Sequence, residues 1–143
     1  MMATPGQSLQ NDISIQVDAT KAGGPNHNSI GIICRLQDNV NYYYLFITSD
    51  GYADIVKREN NEDTLLSVDM QTPSAAIRQG AATNRISADC VGNTLTLSVN
   101  GQEIASGTDS SFSSGGVGLF AGTYAKPGVD ILFDNFIVFK AGQ

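Results

Sequence analysis

The sequence predicts an all-β protein in which two antiparallel β-sheets pack as a β-sandwich. Most segments alternate apolar and polar residues, which is the pattern of half-buried strands. Short runs of Gly, Asn, Asp and Ser separate these segments, as expected of turns between strands. Only 15% of the residues are charged and 15 are glycine, a composition that disfavours helices. The length of 143 residues predicts one domain over residues 11–143, preceded by an N-terminal extension of residues 1–10.

The first half of the chain predicts one strand followed by a three-stranded meander. Apolar and polar residues alternate in NDISIQVDAT, and the loop KAGGPNHNS ends this strand. The segments SIGIICR, YYYLFITS and YADIVKRE follow, joined by turns at QDNV and at Ser49-Asp50-Gly51. These turns set the register, and the predicted cross-strand pairs are Arg35–Tyr42, Ile33–Tyr44, Gly31–Phe46, Ile32–Leu45, Cys34–Tyr43, Leu45–Ile55, Tyr44–Val56, Phe46–Asp54 and Tyr42–Arg58.

This register gives the meander two faces of different chemistry, because the side chains of a strand alternate between its two sides. One face is apolar and is expected to form the core: Ile30, Ile32, Cys34, Tyr43, Leu45, Ile47, Ala53 and Ile55. The other face mixes aromatic rings with charges of both signs and is the candidate binding face: Gly31, Ile33, Arg35, Tyr42, Tyr44, Phe46, Asp54, Val56 and Arg58.

The second half of the chain predicts two hairpins and two closing strands. Residues 59–83 are polar and indicate an irregular connection with one short strand at TLLSV. Alternation then resumes in NRISADCV and TLTLSV, with two-residue turns at Gly92-Asn93 and Asn100-Gly101. The strands VGLFAG and VDILFDNFIVFK close the chain, the second with a bulge at Asp134-Asn135, which gives eight or nine strands in all. The turn type alone implies that Asn100→Gly leaves stability nearly unchanged.

Charge and cysteine content limit the partners of the chain. The net charge is −6, from 14 acidic and 8 basic residues, and no basic run is present, so we expect no nucleic-acid partner. No apolar stretch is long enough to cross a bilayer and the N-terminus lacks a signal-peptide pattern, so we expect no direct membrane insertion. Cys34 and Cys90 form either one disulfide or two buried thiols, and buried thiols are the expected state.

Several segments in this order resemble the concanavalin A-like lectin/glucanase superfamily, from about Asp12 to Phe139. They are IQVDAT, IGIICR, DNVNYYYLFI, DGYADIVK, NRISADCVGNTLTLSVNG, DSSFSSGGVGLFAG and ILFDNFIVF. More narrowly, the chain is similar to jelly-roll domains of extracytoplasmic bacterial proteins and to domains found near fructan-binding modules. The resemblance implies a jelly roll without catalytic activity, whose sheet or rim loops bind glycans.

The chain departs from this resemblance at its N-terminus. Similar domains usually begin with a further strand-forming stretch, often containing Trp, whereas here only MMATPGQSLQ precedes DISIQVDAT and Trp is absent. One edge of the sandwich is therefore expected to lack a partner, unless residues 1–10 or a neighbouring molecule supplies it.

The titratable residues predict no catalytic or metal site. A glucanase of this fold needs two glutamates flanking an aspartate on one strand, and Glu59, Glu62 and Glu103 do not form that pattern. The single histidine, His27, has no nucleophile signature around it. The oxygens of Asp130 and Asp134 suit calcium, but no Asp-rich loop supplies further ligands. We therefore expect no enzyme activity, metal or cofactor, and we expect Asp134 to accept hydrogen bonds from backbone amides.

The aromatic row admits three interpretations: a ligand platform, ordinary cross-strand packing, or a protein interface. Rings offer flat apolar surfaces to the C–H groups of sugars, and flanking charges can hydrogen-bond their hydroxyls. The sequence thus predicts an extracellular or cell-surface recognition or adhesion module that binds a glycan or cell-surface polysaccharide. The alternative is a structural subunit of a surface assembly, completed by strand exchange between neighbouring copies. The candidate ligand-binding residues are Arg35, Tyr42, Tyr44, Phe46, Asp54 and Arg58.

The register of the TLTLSV strand can be tested by two adjacent substitutions. Leu97→Ala should cost about 2–5 kcal/mol of unfolding free energy as a buried large-to-small change, whereas Thr96→Ala should cost far less. Urea denaturation of both variants measures the difference. Comparable losses would mean that the predicted register is shifted by one residue.

Overall fold

The computed structural model describes residues 12–24, 28–67, 73–123 and 130–140, and these residues form ten strands and no helix. They build two antiparallel five-stranded sheets, sheet A in the order β10-β1-β6-β7-β8 and sheet B in the order β5-β4-β3-β2-β9. The strands are β1 (Ile13–Gly23), β2 (Asn28–Asp38), β3 (Asn41–Ile47), β4 (Ala53–Glu59), β5 (Glu62–Leu65), β6 (Thr83–Val91), β7 (Thr94–Val99), β8 (Gln102–Thr108), β9 (Gly116–Thr123) and β10 (Asp130–Lys140).

The predicted all-β sandwich is confirmed, with ten strands instead of the expected eight or nine. Within the described ranges no helix is long and apolar enough to span a bilayer. The division into residues 1–10 and a domain 11–143 stays a prediction, because residues 1–11 lie outside those ranges.

One apolar core lies between the two sheets and contains the inward side chains of both halves of the chain. Ile15 and Val17 of β1, Ile32 and Leu45 of sheet B, and Leu97 of sheet A are all completely buried. The alternation predicted for the meander and for the β6–β7 hairpin therefore identifies the core face correctly in both sheets.

The register of the meander is confirmed at eight of the nine predicted pairs. A further hairpin joins β4 and β5 through Asn60 and Asn61, whose φ angles of 54° and 66° are left-handed. The predicted strand at TLLSV thus begins two residues early, at Glu62. Two asparagines between strands are a hairpin signal, since Asn tolerates left-handed backbone. The signal was missed because this stretch is polar throughout and lacks the alternation of apolar and polar residues that predicts strands.

Cys34 of β2 and Cys90 of β6 form a disulfide between the two sheets, with their Cα atoms 6.9 Å apart. The expectation of two buried thiols is therefore wrong. The alternation placed each cysteine on the core face of its own sheet. Only the packing of the sheets brings the two positions opposite each other, which strand periodicity cannot show.

Asn100 does more than form a turn. The φ angles of Asn100 and Gly101, 53° and 86°, confirm the predicted hairpin. The Asn100 side-chain amide donates to the carbonyl oxygen of Ala76 at 2.8 Å and to Asn84 Oδ1 at 2.9 Å. Its own oxygen accepts the backbone N–H of Arg85 at 2.9 Å. This one side chain therefore fastens the connection before β6 to the hairpin.

Asn100→Gly is consequently expected to destabilise the protein by about 1–3 kcal/mol, because it removes hydrogen bonds that satisfy part-buried groups. The turn type alone implies almost no cost, so the two expectations differ clearly. Asn60→Gly, at the exposed turn between β4 and β5, is the matched control because its φ angle of 54° is also left-handed, and it should change stability by less than about 0.5 kcal/mol. Thermal and urea unfolding of both variants measure the difference. Equal stabilities would mean that the Asn100 contacts contribute nothing.

Candidate functional site

An aromatic cluster lies on the outer face of sheet B, opposite the core. Tyr42, Tyr44 and Phe46 project to this face from β3, as predicted, and Phe120 of β9 joins them. The Tyr44 ring meets Phe46 and Phe120 nearly edge-on, with both centroid distances at 4.7 Å. The Tyr42 ring follows at 6.5 Å from Tyr44. These geometries are typical of favourable aromatic pairs.

Gly31 of β2 allows this cluster to form. It lies opposite Phe46 on one side and Phe120 on the other. A Cβ atom at this position would lie 2.7 Å from the Cβ of Phe46, which is too close for any real side chain. The absence of a side chain at Gly31 thus leaves space that the neighbouring strand occupies. Phe120 was missed at the sequence level, although VGLFAG alternates and places Phe120 on the face opposite Leu119.

The rings of the cluster differ in exposure. Phe46 is only 8% exposed, whereas Tyr42, Tyr44 and Phe120 are half-buried. Phe46 therefore packs within the cluster, as one of the three interpretations of the row requires. Tyr42 and Tyr44 keep ring surface that a ligand can reach. The aromatic row therefore has one ring that packs against its neighbours and two rings that remain accessible.

Arg58 stands at the Tyr42 end of the cluster and is held in place by Asp63. Its Nε and Nη2 donate to the two carboxylate oxygens at 2.8 and 2.9 Å, a bidentate pair between β4 and β5. The hydrogen bond to Asp63 raises the pKa of Arg58, and the bond from Arg58 lowers the pKa of Asp63. The guanidinium carbon lies 5.9 Å from the centre of the Tyr42 ring. A fixed cation therefore borders an accessible ring.

The other two candidate residues, Asp54 and Arg35, do not lie on the same face. Asp54 lies opposite Phe46 in the register, half-buried on the aromatic face as predicted. Arg35 does not share that face, so its predicted pairing with Tyr42 is wrong. The β2–β3 ladder breaks after Cys34 and resumes at Asp38–Asn41. The φ angle of Arg35 is 52°, which marks the bulge where the strand changes course.

The Arg35 side chain lies in the interior and is 1% exposed. It donates to the carbonyl oxygens of Gly92, Phe112 and Cys90, the last two at 3.2 Å. Burial lowers the pKa of Arg35, and Asp12, 3.5 Å away, opposes this effect. Arg35 therefore joins β2 to the other sheet and to the loop before β9. It also lines a cavity of about 310 Å³ at the rim, away from the aromatic face.

Sequence reasoning missed a second polar network, which centres on Asp109 in the loop after β8. The Tyr43 hydroxyl donates to Asp109 Oδ2 at 2.6 Å, and Lys57 Nζ donates to Oδ1 at 3.2 Å. Burial, together with the bond to Asp109, raises the pKa of Tyr43 to about 12. Burial would raise the pKa of Asp109, but bonds from Tyr43, Ser111 and Lys57 outweigh it and hold that pKa at about 2. Nothing in the alternation separates Tyr43 from an ordinary core residue.

The expectations about metal ligands fall partly outside the described residues. Asp134 Oδ1 accepts the backbone N–H of Asn135 at 2.8 Å, as predicted. Across the ranges that the structure describes, no group of three or more His, Cys, Asp or Glu side chains could hold a metal ion. His27 and the side chain of Asp130 are not among the described parts. Glu103 lies in sheet A, whereas Glu59 and Glu62 lie in sheet B.

No family model matches this sequence, and no curated protein is similar to it. Solved structures nevertheless share its architecture. The carbohydrate-binding module CBM66 from Bacillus subtilis superimposes with a TM-score of 0.68 at 16% identity, over 92% of this chain and 77% of the module. The chain has a jelly-roll, concanavalin A-like fold. The superfamily resemblance is thereby confirmed at the level of fold.

Two other jelly rolls extend this comparison. CG-16, a homodimeric agglutinin from chicken liver, has a TM-score of 0.63 at 10% identity, over 92% of this chain and 94% of the agglutinin. The GH43 protein BlXynB from Bacillus licheniformis has a TM-score of 0.64 at 14% identity, again over 92% of this chain. This jelly roll spans only 28% of BlXynB.

The Asp109 network predicts a specific loss of stability in acid. The pKa of Asp109 is lower in the folded state, about 2 against 3.8, so its contribution is complete above about pH 4. That contribution should disappear as the pH falls through about 2. Asp109→Asn should therefore be less stable than the wild type at pH 6, by on the order of 2 kcal/mol. The difference should shrink towards pH 2.

Urea unfolding at several pH values measures this difference. Glu103→Gln is the control, because Glu103 lies exposed on β8 and a surface substitution there should change stability by less than about 0.5 kcal/mol. An Asp109→Asn deficit that is constant between pH 6 and pH 2 would contradict the role assigned to the ionised carboxylate.

Proposed function

We propose that this protein is a non-catalytic glycan-binding module and that it binds on the outer face of sheet B. The observation that carries the proposal is the pair of accessible rings, Tyr42 and Tyr44, beside the cation Arg58. Aromatic faces stack on the C–H surfaces of sugars, and a guanidinium donates to their hydroxyls. The bidentate pair with Asp63 fixes Arg58 before a ligand arrives, which reduces the entropy lost on binding.

The proposed ligand-contacting residues are Tyr42, Tyr44, Asp54 and Arg58. Phe46 supports the tyrosines from within the cluster because it is buried. Arg35 is not included, because its side chain is buried in the interior. Phe120 adds a half-buried ring next to Tyr44, so the platform extends from β4 across to β9.

The comparisons support the class of ligand. Solved structures with this fold include a carbohydrate-binding module and an agglutinin. At 10–16% identity they share the fold alone, so the glycan ligand and the site are proposed from the residues on the outer face of sheet B. The non-catalytic role likewise rests on the residues, since Glu59, Glu62 and Glu103 do not form the carboxylate pattern of a glucanase.

We place the protein outside the cytoplasm, at or near the cell surface. The Cys34–Cys90 disulfide supports this location, because disulfides persist in oxidising compartments and are rare in the cytosol. The alternative function, a structural subunit of a surface assembly, rests on the outer edge of β10 in sheet A, with which none of the described strands pairs. A binding module is expected as a monomer or small closed oligomer, whereas strand exchange between successive copies builds open chains.

Binding to a glycan array, followed by titration of the best glycan, tests the proposed site. Tyr42→Ala should weaken binding at least about fivefold, because stacking on one ring contributes roughly 1–2 kcal/mol. Tyr42→Phe keeps the ring and should retain most of the affinity. Tyr44→Ala should weaken binding too, but it also removes packing against Phe46 and Phe120 and is therefore a less specific probe.

Arg58→Ala should also weaken binding, and the unfolding free energies of the Tyr42 and Arg58 variants should stay near that of the wild type. Wild-type affinity in both Tyr42→Ala and Arg58→Ala would exclude this face as the site. Failure of the wild-type protein to bind any glycan on the array would contradict the proposed function itself.

A further inference from the structure

We propose that the free edge of β10 pairs with β10 of a second copy of this chain, which gives a closed two-fold dimer. The proposal concerns sheet A and does not depend on glycan binding by sheet B.

β10 is the outermost strand of sheet A. Its neighbour is β1, and among the described strands none pairs with its other edge. The strand is 11 residues long. A long edge strand presents a row of backbone donors and acceptors that can pair with another strand. Natural proteins usually protect such an edge with charges, prolines or short strands.

Residues 136–139 of β10 have none of this protection. The four consecutive residues Phe136, Ile137, Val138 and Phe139 are apolar, and each is at least 41% exposed. They lie on both faces of the strand: Val138 is opposite the core residue Ile15, whereas Ile137 is opposite Gln16 on the outer face. A partner docked on one face would cover only two of them. A strand added at the edge would flank all four.

A second copy of β10 fits this edge by its own symmetry. Directly opposite residues of paired strands must lie on the same face, so a two-fold axis perpendicular to the sheet passes midway between one residue and its own copy in the second strand. An axis at Ile137 places Ile137 opposite its own copy and Phe136 opposite Val138 of the second copy. Both pairs are apolar, and apolar cross-strand pairs stabilise a sheet.

The flanking charges favour the same arrangement. Asp134 precedes the apolar stretch and Lys140 follows it. In an antiparallel pair the acidic end of each strand lies beside the basic end of the other. A parallel pair would bring like charges together. The antiparallel arrangement is also isologous and closes after two copies, so it does not continue into a fibre.

Residues 1–11 are the other candidate occupant, and they fit less well. Five of these eleven residues are polar, and the segment contains Pro5 and Gly6, which disfavour a regular strand. They lead into β1 at Ile13, which lies opposite Lys140 at the end of β10. From there they could reach the free edge only by crossing the end of β10 and running parallel to it. Parallel pairing is slightly less stable per residue than antiparallel pairing.

Sedimentation equilibrium of the full chain over a micromolar concentration series tests the proposal. The wild type should reach twice the mass of one chain. Ile137→Lys would place two ammonium groups opposite each other at the axis and should raise the dimer dissociation constant at least about tenfold. Leu65→Lys, on the edge strand β5 of sheet B with 43% exposure, is the matched control and should dimerise like the wild type.

Single cysteines provide a second readout that does not depend on weakened association. The two native cysteines are paired, so an introduced thiol is the only free one in the described residues. Ile137→Cys should form an intermolecular disulfide readily, because the two thiols would meet at the axis. Leu132→Cys is more exposed but lies away from the axis, and it should cross-link much more slowly.

Four outcomes would overturn the proposal. The first is a wild type that is monomeric at all concentrations, and the second is a dimer dissociation constant that rises as much in Leu65→Lys as in Ile137→Lys. The third is equal cross-linking at positions 132 and 137. The fourth is a wild type that dimerises only after deletion of residues 1–10. The last outcome would assign the edge to the N-terminal segment.

Discussion

The buried guanidinium of Arg35 and the adjacent Cys34–Cys90 disulfide join the two sheets, and much of the structure depends on this junction. A charge buried without partners would cost several kcal/mol, so the three carbonyl oxygens around Arg35 are required for the fold. These oxygens come from β6, from the β6–β7 turn and from the loop before β9. The bulge that turns Arg35 inward therefore also positions the loop before β9. Tyr43 holds this same loop through its hydrogen bonds with Asp109 and with the backbone N–H of Phe112.

The same bulge decides which charged side chain borders the aromatic cluster on the outer face of sheet B. With Arg35 turned inward, the aromatic face carries its cation at Arg58, on the far side of Tyr42. The cluster has a buried base, Phe46, and accessible rings above it. A ligand platform needs rings that do not move, and edge-on contacts with Phe46 and Phe120 restrain Tyr44. Packing and recognition are thus two functions of one row of side chains.

The two proposals involve different sheets and reinforce each other physically. Pairing through the edge of sheet A leaves the outer face of sheet B accessible in both copies. A dimer would then present two glycan-binding faces, and the second contact with a polymeric or surface-bound glycan would be intramolecular. Linked sites of this kind raise avidity without new contacts, provided that their geometry allows both to bind. Weak individual stacking interactions are sufficient in that arrangement.

The sequence by itself determined most of the strands, the core faces, the register of the meander apart from Arg35, and the β3 residues of the aromatic row. All of these follow from two-residue periodicity and from Asn, Asp and Gly at turns, which act over a few residues of chain. Tertiary structure alone decided the disulfide, the inward course of Arg35, the three bonds of Asn100 and the arrival of Phe120 beside Tyr44. Each of these joins segments far apart in the chain, and periodicity within a strand carries no information about which strand or sheet will lie opposite.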